Sequence, residues 1–451
     1  MEKTESGRML FSRRALIALA IPMVLESVLS IITGMVDSVM VSSAGDTAVS
    51  AVSLVDSVNI LFICIFFALT TGGVVVTAQY IGKKDFEQAK NSARQLFWFS
   101  VAMAAVFMLV LVLLRTQVLR VLYSDIAPDV FAEAEKYFFW TLLGYPFLAA
   151  GNSCCALLRT MTKSRASFFL VLGANLINVA GNAILINGFK LGAAGAAMAT
   201  TFSRIVWAVI GVIMVSDKNL PVHFEKLFKI RPDRDMLRRV LAIGIPNGLE
   251  NGLFQIGKLF VSSLLATLGT ASIAAYSIAN NVSNIGWTIV GSFGNVLLTV
   301  VGQCMGAGEK EQAKYYTRRV TRTASFISLA MFGGVFLLRH QIVSIYHVSP
   351  ETLGIASYYV GVGCVATLAS YYSMSFLPVA AFRAAGDAKY AVILAVASMF
   401  TFRVAGAYII EGVFHLGQLS IWIGMFLDWT ARSICNIIRF RSGKWLNKKV
   451  I

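Results

Sequence analysis

The chain reads as an all-α integral membrane protein, with twelve transmembrane helices forming two six-helix lobes related by a pseudo-twofold axis along the membrane normal. Three observations predict this. The 451 residues are 57% hydrophobic and only 14% charged, against about 45–50% and about 25% in soluble domains. Apolar runs broken by short polar segments recur at the roughly 20-residue length a helix needs to cross a bilayer. The second half of the sequence also repeats the first. A mean hydropathy of +0.72 with only 8 Pro excludes disordered and collagen-like chains.

The runs, taken in order, are 15–42, 50–80, 92–114, 136–158, 166–188 and 193–216, then 240–266, 274–302, 319–338, 355–381, 390–410 and 417–438. The first is too long and too charged for a cleaved signal peptide. Lobes at 15–216 and 240–438 follow, with cytoplasmic tails at 1–14 and 439–451 and a cytoplasmic linker at 217–239.

Orientation comes from Lys and Arg in the loops. Alternate loops and both tails hold 30 of the 39 basic residues, whereas the opposite face has only Arg115, Arg120, Lys136, Lys190 and Arg339. That poorer face also carries Asp125, Asp129, Glu133, Glu135 and Glu351. Both termini are therefore expected in the cytoplasm, with the chain in the cell (inner) membrane. The net charge of +16 is then mainly a topology signal, with affinity for anionic lipid headgroups second. The basic residues form no aromatic-interleaved patch, so no nucleic-acid partner is expected.

Sliding the sequence by 224 residues aligns Ile21-Pro22 with Ile245-Pro246, Glu26 with Glu250, Gly45 with Gly269, Gln79 with Gln303 and Gly82 with Gly306. Glu87 to Lys90 fall on Glu311 to Lys314, and Arg159 falls on Arg383. Many of these pairs are polar or glycine, which shared apolarity does not explain. An even number of spans per half makes the repeat parallel. Two bundles that rock about a central cleft give alternating access, as in some transporters, although duplication also occurs in channels and membrane enzymes.

No phosphate loop, H-E-x-x-H or G-x-S-x-G element is present, so an enzyme is not expected, nor is any cofactor. Uphill transport would draw on an ion gradient. Cys64, Cys154, Cys155, Cys304, Cys364 and Cys435 have no metal-binding spacing and read as small core residues. His223, His340, His347 and His415 fall in loops or at helix ends.

Ionisable residues inside spans carry the chemistry, because each costs roughly 2.5–3.5 kcal/mol at the bilayer centre on insertion scales. Asp37 lies about 16 Å along the helix from Glu26 on nearly the same face. A carboxyl removed from water can load a proton near neutral pH, or ligate sodium when ionised. The alternative for Asp37 is a helix-end carboxylate at the outer interface. Glu26 and Glu250, each four residues after a proline, fit either ion coupling or satisfaction of backbone groups freed by Pro22 and Pro246. Sodium at Asp37 or Glu250 remains open, and no other metal is expected.

Asp56, matched by Asn280, is a further ion or cleft candidate. Lys258, matched by Gly34, would pair across helices or face a cleft. Asp428 and Arg432 are spaced i, i+4 for a local ion pair, and the roles of Arg204 and Arg403 stay open. Asn175, Asn178 and Asn182 share one face of the fifth span and line either a helix contact or a cleft. Aromatics such as Tyr372 and Phe376 in the tenth span, or Phe67 in the second, could stack on a ligand. Pro22 and Pro246 are the candidate hinges.

The ordered segments IPMVLES, GMVDSVMVSSAGDTAVSAVSL, TAQYIGKKD, VGQCMGAGE, LLRTMTKS, FRAAGDAK, LGAAGAAMAT, LDWTAR and RSGKW together resemble the multidrug and toxic compound extrusion (MATE) family over nearly the whole chain. The resemblance implies two six-helix lobes and antiport of organic cations or amphipathic toxins against protons or sodium. It also implies that Asp37 is the first-helix acid and Pro22 the residue at which that helix bends. Where several members carry an aspartate in span five, this chain has Asn182. Glu250 lies nearer its proline than the glutamate of another branch, and span ten has no carboxylate, which leans coupling toward protons. The expectation is a monomeric exporter of small amphipathic molecules. A flippase for lipid-linked precursors, of the same superfamily, is the alternative.

Overall fold

The computed structural model describes residues 9–123, 126–225, 227, 232–346 and 350–451, without the side chains of 270, 271 and 351. Asp125, His347, the Glu351 side chain and tail residues 1–8 therefore lie outside the described residues. All the regular elements described are helical. The N-terminal half holds α1 (Arg13–Ser42), α2 (Asp46–Gly82), α3 (Phe86–Leu122), α4 (Pro128–Leu143), α5 (Tyr145–Thr160), α6 (Ser164–Asn182) and α7 (Gly192–Val215). The remainder holds α8 (Arg234–Ala266), α9 (Thr270–Gly306), α10 (Lys310–Leu337), α11 (Arg339–Ser344), α12 (Pro350–Ala369), α13 (Tyr372–Ala384), α14 (Ala388–Ser398), α15 (Gly406–Phe414) and α16 (Gln418–Ser442).

The repeat is visible in the joints. Gly45 and Gly269 both take a positive φ, 99° and 89°, directly before α2 and α9, a conformation open to a residue without a Cβ. Contacts divide the chain into one unit from Arg13 to Gly248 and another from Leu249 to Ile451, the latter including the segment before Arg13. In the first unit α1 packs on α6, α6 on α7, α7 on α5 and α4, and α2 on α3. Its core includes Val55, Phe66, Phe138, Leu142 and Tyr145. Gly72 of α2 lies so close to α8 that a Cβ there would meet the Val240 carbonyl at 2.2 Å.

In the second unit α9 is central, packing on α10, α12 and α13, and α16 packs on α13 and on residues 399–405. Phe332, Ile421, Trp422 and Trp429 fill its core. The segment before Arg13 belongs to this unit: the Phe11 N–H donates to Tyr316 Oη, which donates in turn to the Phe11 carbonyl, both at 2.8 Å. Large apolar side chains such as Leu113, Val121, Leu337 and Ile438 remain exposed on outer faces, as expected where lipid is the solvent.

Nine helical segments among the described residues are long and apolar enough to span a membrane, ten with the bent pair α4 and α5 taken as one. The other two expected spans, α8 and α16, reach 33 and 25 residues. They fall short on apolarity because α8 carries Glu250 and Lys258, and α16 carries Asp428 and Arg432.

Four spans expected to be continuous depart from regular helix. The fourth bends by 44° between α4 and α5, where Pro146 has no N–H to continue the ladder. The tenth breaks before α13 at Tyr371, which is left-handed at φ 56°. The fifth and eleventh each contain a π-helical stretch, at 183–188 and 399–405. Such wide turns re-aim side chains and often mark functional sites.

Candidate functional site

The N-terminal half encloses a cavity of about 280 Å³ whose lining includes Glu26, Asp37, Asn178, Arg159 and Arg204. Helix α1 supplies both acids and α6 the asparagines. Asn182 Nδ2 donates to Asp37 Oδ1 at 2.7 Å. Asn178, one turn earlier, is best satisfied when its Nδ2 donates to Asp37 at 2.8 Å and its oxygen accepts from Thr200 Oγ1 at 3.1 Å. The expected asparagine face of the fifth span thus meets the expected acid of the first. Asn182 is the last residue before the π-helical stretch.

Glu26 stands in the same cavity but is already engaged. Arg159 Nη1 donates to it at 2.9 Å and Ser167 Oγ at 3.2 Å. The repeat position behaves alike: Arg383 Nη2 donates to Glu250 at 2.5 Å. This corrects one expectation. Pro22 deprives the Ala18 carbonyl of its helical donor, yet Ser164 Oγ, not Glu26, donates to that carbonyl, at 3.1 Å. Helix α1 runs without interruption through Pro22, and α8 through Pro246.

Asp56 lies apart from this cavity. It accepts from Asn59 Nδ2 and Tyr137 Oη, each at 3.2 Å, and Tyr145 Oη reaches the same Asn59 at 2.8 Å. Among the acids singled out in the sequence, Asp37 and Asp56 are the ones held by neutral donors instead of a cation among the described residues. Only Asp37 of these two lines the cavity. Arg204 also lines it, with Nη1 3.5 Å from the Thr141 carbonyl.

The C-terminal half has a cavity of about 390 Å³ built from α8, α9, α13, α16 and residue 403. Lys258 Nζ sits 5.3 Å from the centre of the Phe254 ring. Tyr372 stacks on Trp287 at 6.1 Å with a 24° interplanar angle, and packs against Phe376 and Trp429. Arg403, on the π-helical stretch, is 2.8 Å from Asp428. Asp428 also accepts from Arg432 Nε at 2.7 Å, so the expected i, i+4 pair is a triad. Sequence reasoning missed Arg403 as its third member, although its charge inside a span was the signal. It also missed Trp287 and Trp429, which nothing in the apolar pattern distinguishes. Glu250 is held by Arg383. Among the described residues no group of three or more His, Cys, Asp or Glu could hold a metal ion.

Nine or ten helical segments long and apolar enough to cross a bilayer, among the described residues, make this a multi-pass membrane protein. The family model MatE matches residues 22–184 and 246–409, and the chain belongs to that family, the multidrug and toxic compound extrusion proteins. It is similar to the uncharacterized transporter YisQ of Bacillus subtilis, 25% identical over 96% of this chain and 95% of that one. It is likewise similar to the probable multidrug resistance protein NorM of Thermotoga maritima, 25% identical over 97% and 94%. Among solved structures, a MATE protein in complex with MaL6 matches with TM-score 0.88 at 21% identity, covering 96% and 97%. A transporter of the MOP superfamily from Pyrococcus furiosus, described as having a binding pocket of reverse polarity, matches with TM-score 0.89 at 20% identity, covering 97% of each chain. At these identities the two structures show the fold alone.

Proposed function

We propose that this protein is a secondary active exporter of cationic or amphipathic small molecules. It works by alternating access, in antiport against H+ or Na+, as a monomer in the cell membrane with both termini in the cytoplasm. The observation that carries the reading is Asp37: a carboxylate in a membrane-spanning helix, held by Asn182 and Asn178 rather than by a base, and lining a cavity. A carboxylate so placed can hold one proton, one sodium ion or one organic cation, and exclusive occupancy by ion or cargo is what antiport requires. Glu26 and Glu250, each bound to an arginine, serve in this reading to hold α1 and α8 against their neighbours. Names among the relatives, including the multidrug resistance proteins NorM and MdtK, support a small-molecule cargo.

The test is flux in proteoliposomes under an imposed gradient. An inward proton or sodium gradient should drive outward movement of an amphipathic cation, and cargo added alone should move the ion the other way. Flux indifferent to both gradients contradicts antiport. The basic groups Lys258 and Arg403 in the C-terminal cavity favour a second reading, a flippase for lipid-linked precursors. That reading predicts transfer of a lipid-linked phosphate between leaflets without a coupled ion.

A further inference from the structure

A larger groove of the C-terminal half shares no lining residue with the two cavities above. It has a volume of about 620 Å³ and lies between the joint of α10 and α11, the helix α12 and the first turns of α16. Phe336, Val365, Trp422 and Phe426 are among its apolar walls. Arg339 and His340 line it too, and among the described residues no carboxylate does.

The groove has the dimensions of a hydrocarbon chain. Gly354, Tyr358, Gly361, Val365 and Ala369 supply its α12 wall at a spacing that keeps them on one helix face. From Gly354 to Ala369 this wall runs about 22 Å at 1.5 Å per residue, against roughly 15 Å for half of a bilayer's hydrocarbon core. Tyr358 and Val365 are 57% and 54% exposed, so the groove is open along its side.

Its basic end is built for an anion at the bilayer surface. Arg339 directly follows Leu337 and Leu338, which are 76% and 53% exposed, a pairing that belongs where hydrocarbon gives way to headgroups. The half-buried arginine takes its printed contacts from Phe336: Nη1 donates to the carbonyl at 2.7 Å, and the guanidinium lies 4.6 Å from the ring centre. One of its five N–H donors is thereby used, and no carboxylate of the described residues pairs with it. A Cβ on Gly361 would lie 3.3 Å from Arg339 Cδ, so the arginine stem crosses α12 over that glycine. His340 is exposed, with Nδ1 2.8 Å from Ser357 Oγ, which leaves Nε2 as the ring nitrogen for a ligand. A guanidinium matches phosphate with two parallel hydrogen bonds.

We propose that this groove binds a glycerophospholipid with an anionic headgroup, one acyl chain laid along the α12 wall and the phosphate held by Arg339 and His340. A headgroup ammonium would meet Arg339 with no lining carboxylate to receive it, so a zwitterionic lipid fits less well. The site does not depend on the exporter reading.

The test is a lipid titration of the purified full chain in non-ionic detergent, with the first bound lipid followed by native mass spectrometry. The probes are dioleoyl phosphatidylglycerol, dioleoyl phosphatidylethanolamine, dioleoylglycerol and glycerol phosphate. Phosphatidylglycerol should bind about tenfold or more tighter than dioleoylglycerol, the scale of one charge-assisted hydrogen bond, and tighter than phosphatidylethanolamine. Glycerol phosphate, which has no chains, should not bind at the same concentrations. Arg339→Gln should cut phosphatidylglycerol affinity about tenfold. Arg120→Gln should not, although Arg120 also lies against a ring, that of Phe131 in the other half. Nothing stands within 4 Å of a Cβ at Gly354, so Gly354→Phe should fill the groove, abolish the tight binding event and leave the unfolding temperature of the lipid-free protein undiminished. Phosphatidylethanolamine or dioleoylglycerol matching phosphatidylglycerol overturns the proposal. So does unchanged binding in Arg339→Gln or in Gly354→Phe, an equal loss in Arg120→Gln, or glycerol phosphate binding as tightly as the lipid.

Discussion

Glu26 and Glu250 sit at matched positions, and each takes a proton donor from the arginine 133 residues further along its own half. The side chains of the first pair are only 13% and 15% exposed, so removing one partner strands a charge in a poorly solvated place. Arg159→Met should therefore destabilise the purified protein by about 3 kcal/mol, and adding Glu26→Gln should recover much of that. Denaturant unfolding of the two single variants and the double variant checks it, and strictly additive losses would mean that the pair is not coupled. The sequence revealed both members, since 26 aligns with 250 and 159 with 383, but not that they meet. Residues so far apart in the chain are joined only by the packing of helices. Asp37 was legible by itself, because a charge in an apolar run demands a reason. Its Asn182 partner was legible as one of three polar groups on a helix face, whereas the Tyr137 that donates to Asp56 was not.

At the scale of elements, the all-helical fold and the places of most apolar spans could be read from hydropathy and their bends could not. An average over an apolar window does not register the missing N–H of Pro146 or the left-handed Tyr371. A π turn is likewise silent, because it changes the hydrogen-bond ladder by one residue while the composition stays the same. The N-terminal end of α8 is a case where local chemistry does show. Asp233, directly before the helix, accepts the Met236 N–H at 3.0 Å and Asn91 Nδ2 at 2.8 Å. The Met236 N–H foremost, with Asn91 assisting, holds its carboxyl below the ordinary value.

A depressed carboxyl stabilises the fold above its unfolded value and loses that contribution as the pH falls through the folded one. Asp233→Ala should cost about 1 kcal/mol at neutral pH. The difference from the unaltered chain should shrink as the pH falls below about 4. A thermal unfolding series across pH reads this, and a pH-independent difference would rule out the carboxylate cap.

For the whole molecule, the duplication, the two contact units and the one-sided basic loops describe the same design: two similar bundles made by one sequence plan and then differentiated in their polar interiors. The repeat keeps its ion pairs at Glu26 and Glu250 and varies Asp37 to Val261 and Gly34 to Lys258. The retained pairs each join two helices of their own bundle. Of the residues that differ, Asp37 lines one cavity and Lys258 and Val261 line the other.

Asp37→Asn is the most direct measurement of that account, because it keeps the shape and removes the ability to carry an ion. Reconstituted into proteoliposomes beside the unaltered chain, the variant should unfold at the same temperature yet show gradient-driven export reduced to the background of empty vesicles. Undiminished export that still follows the gradient would contradict the central claim.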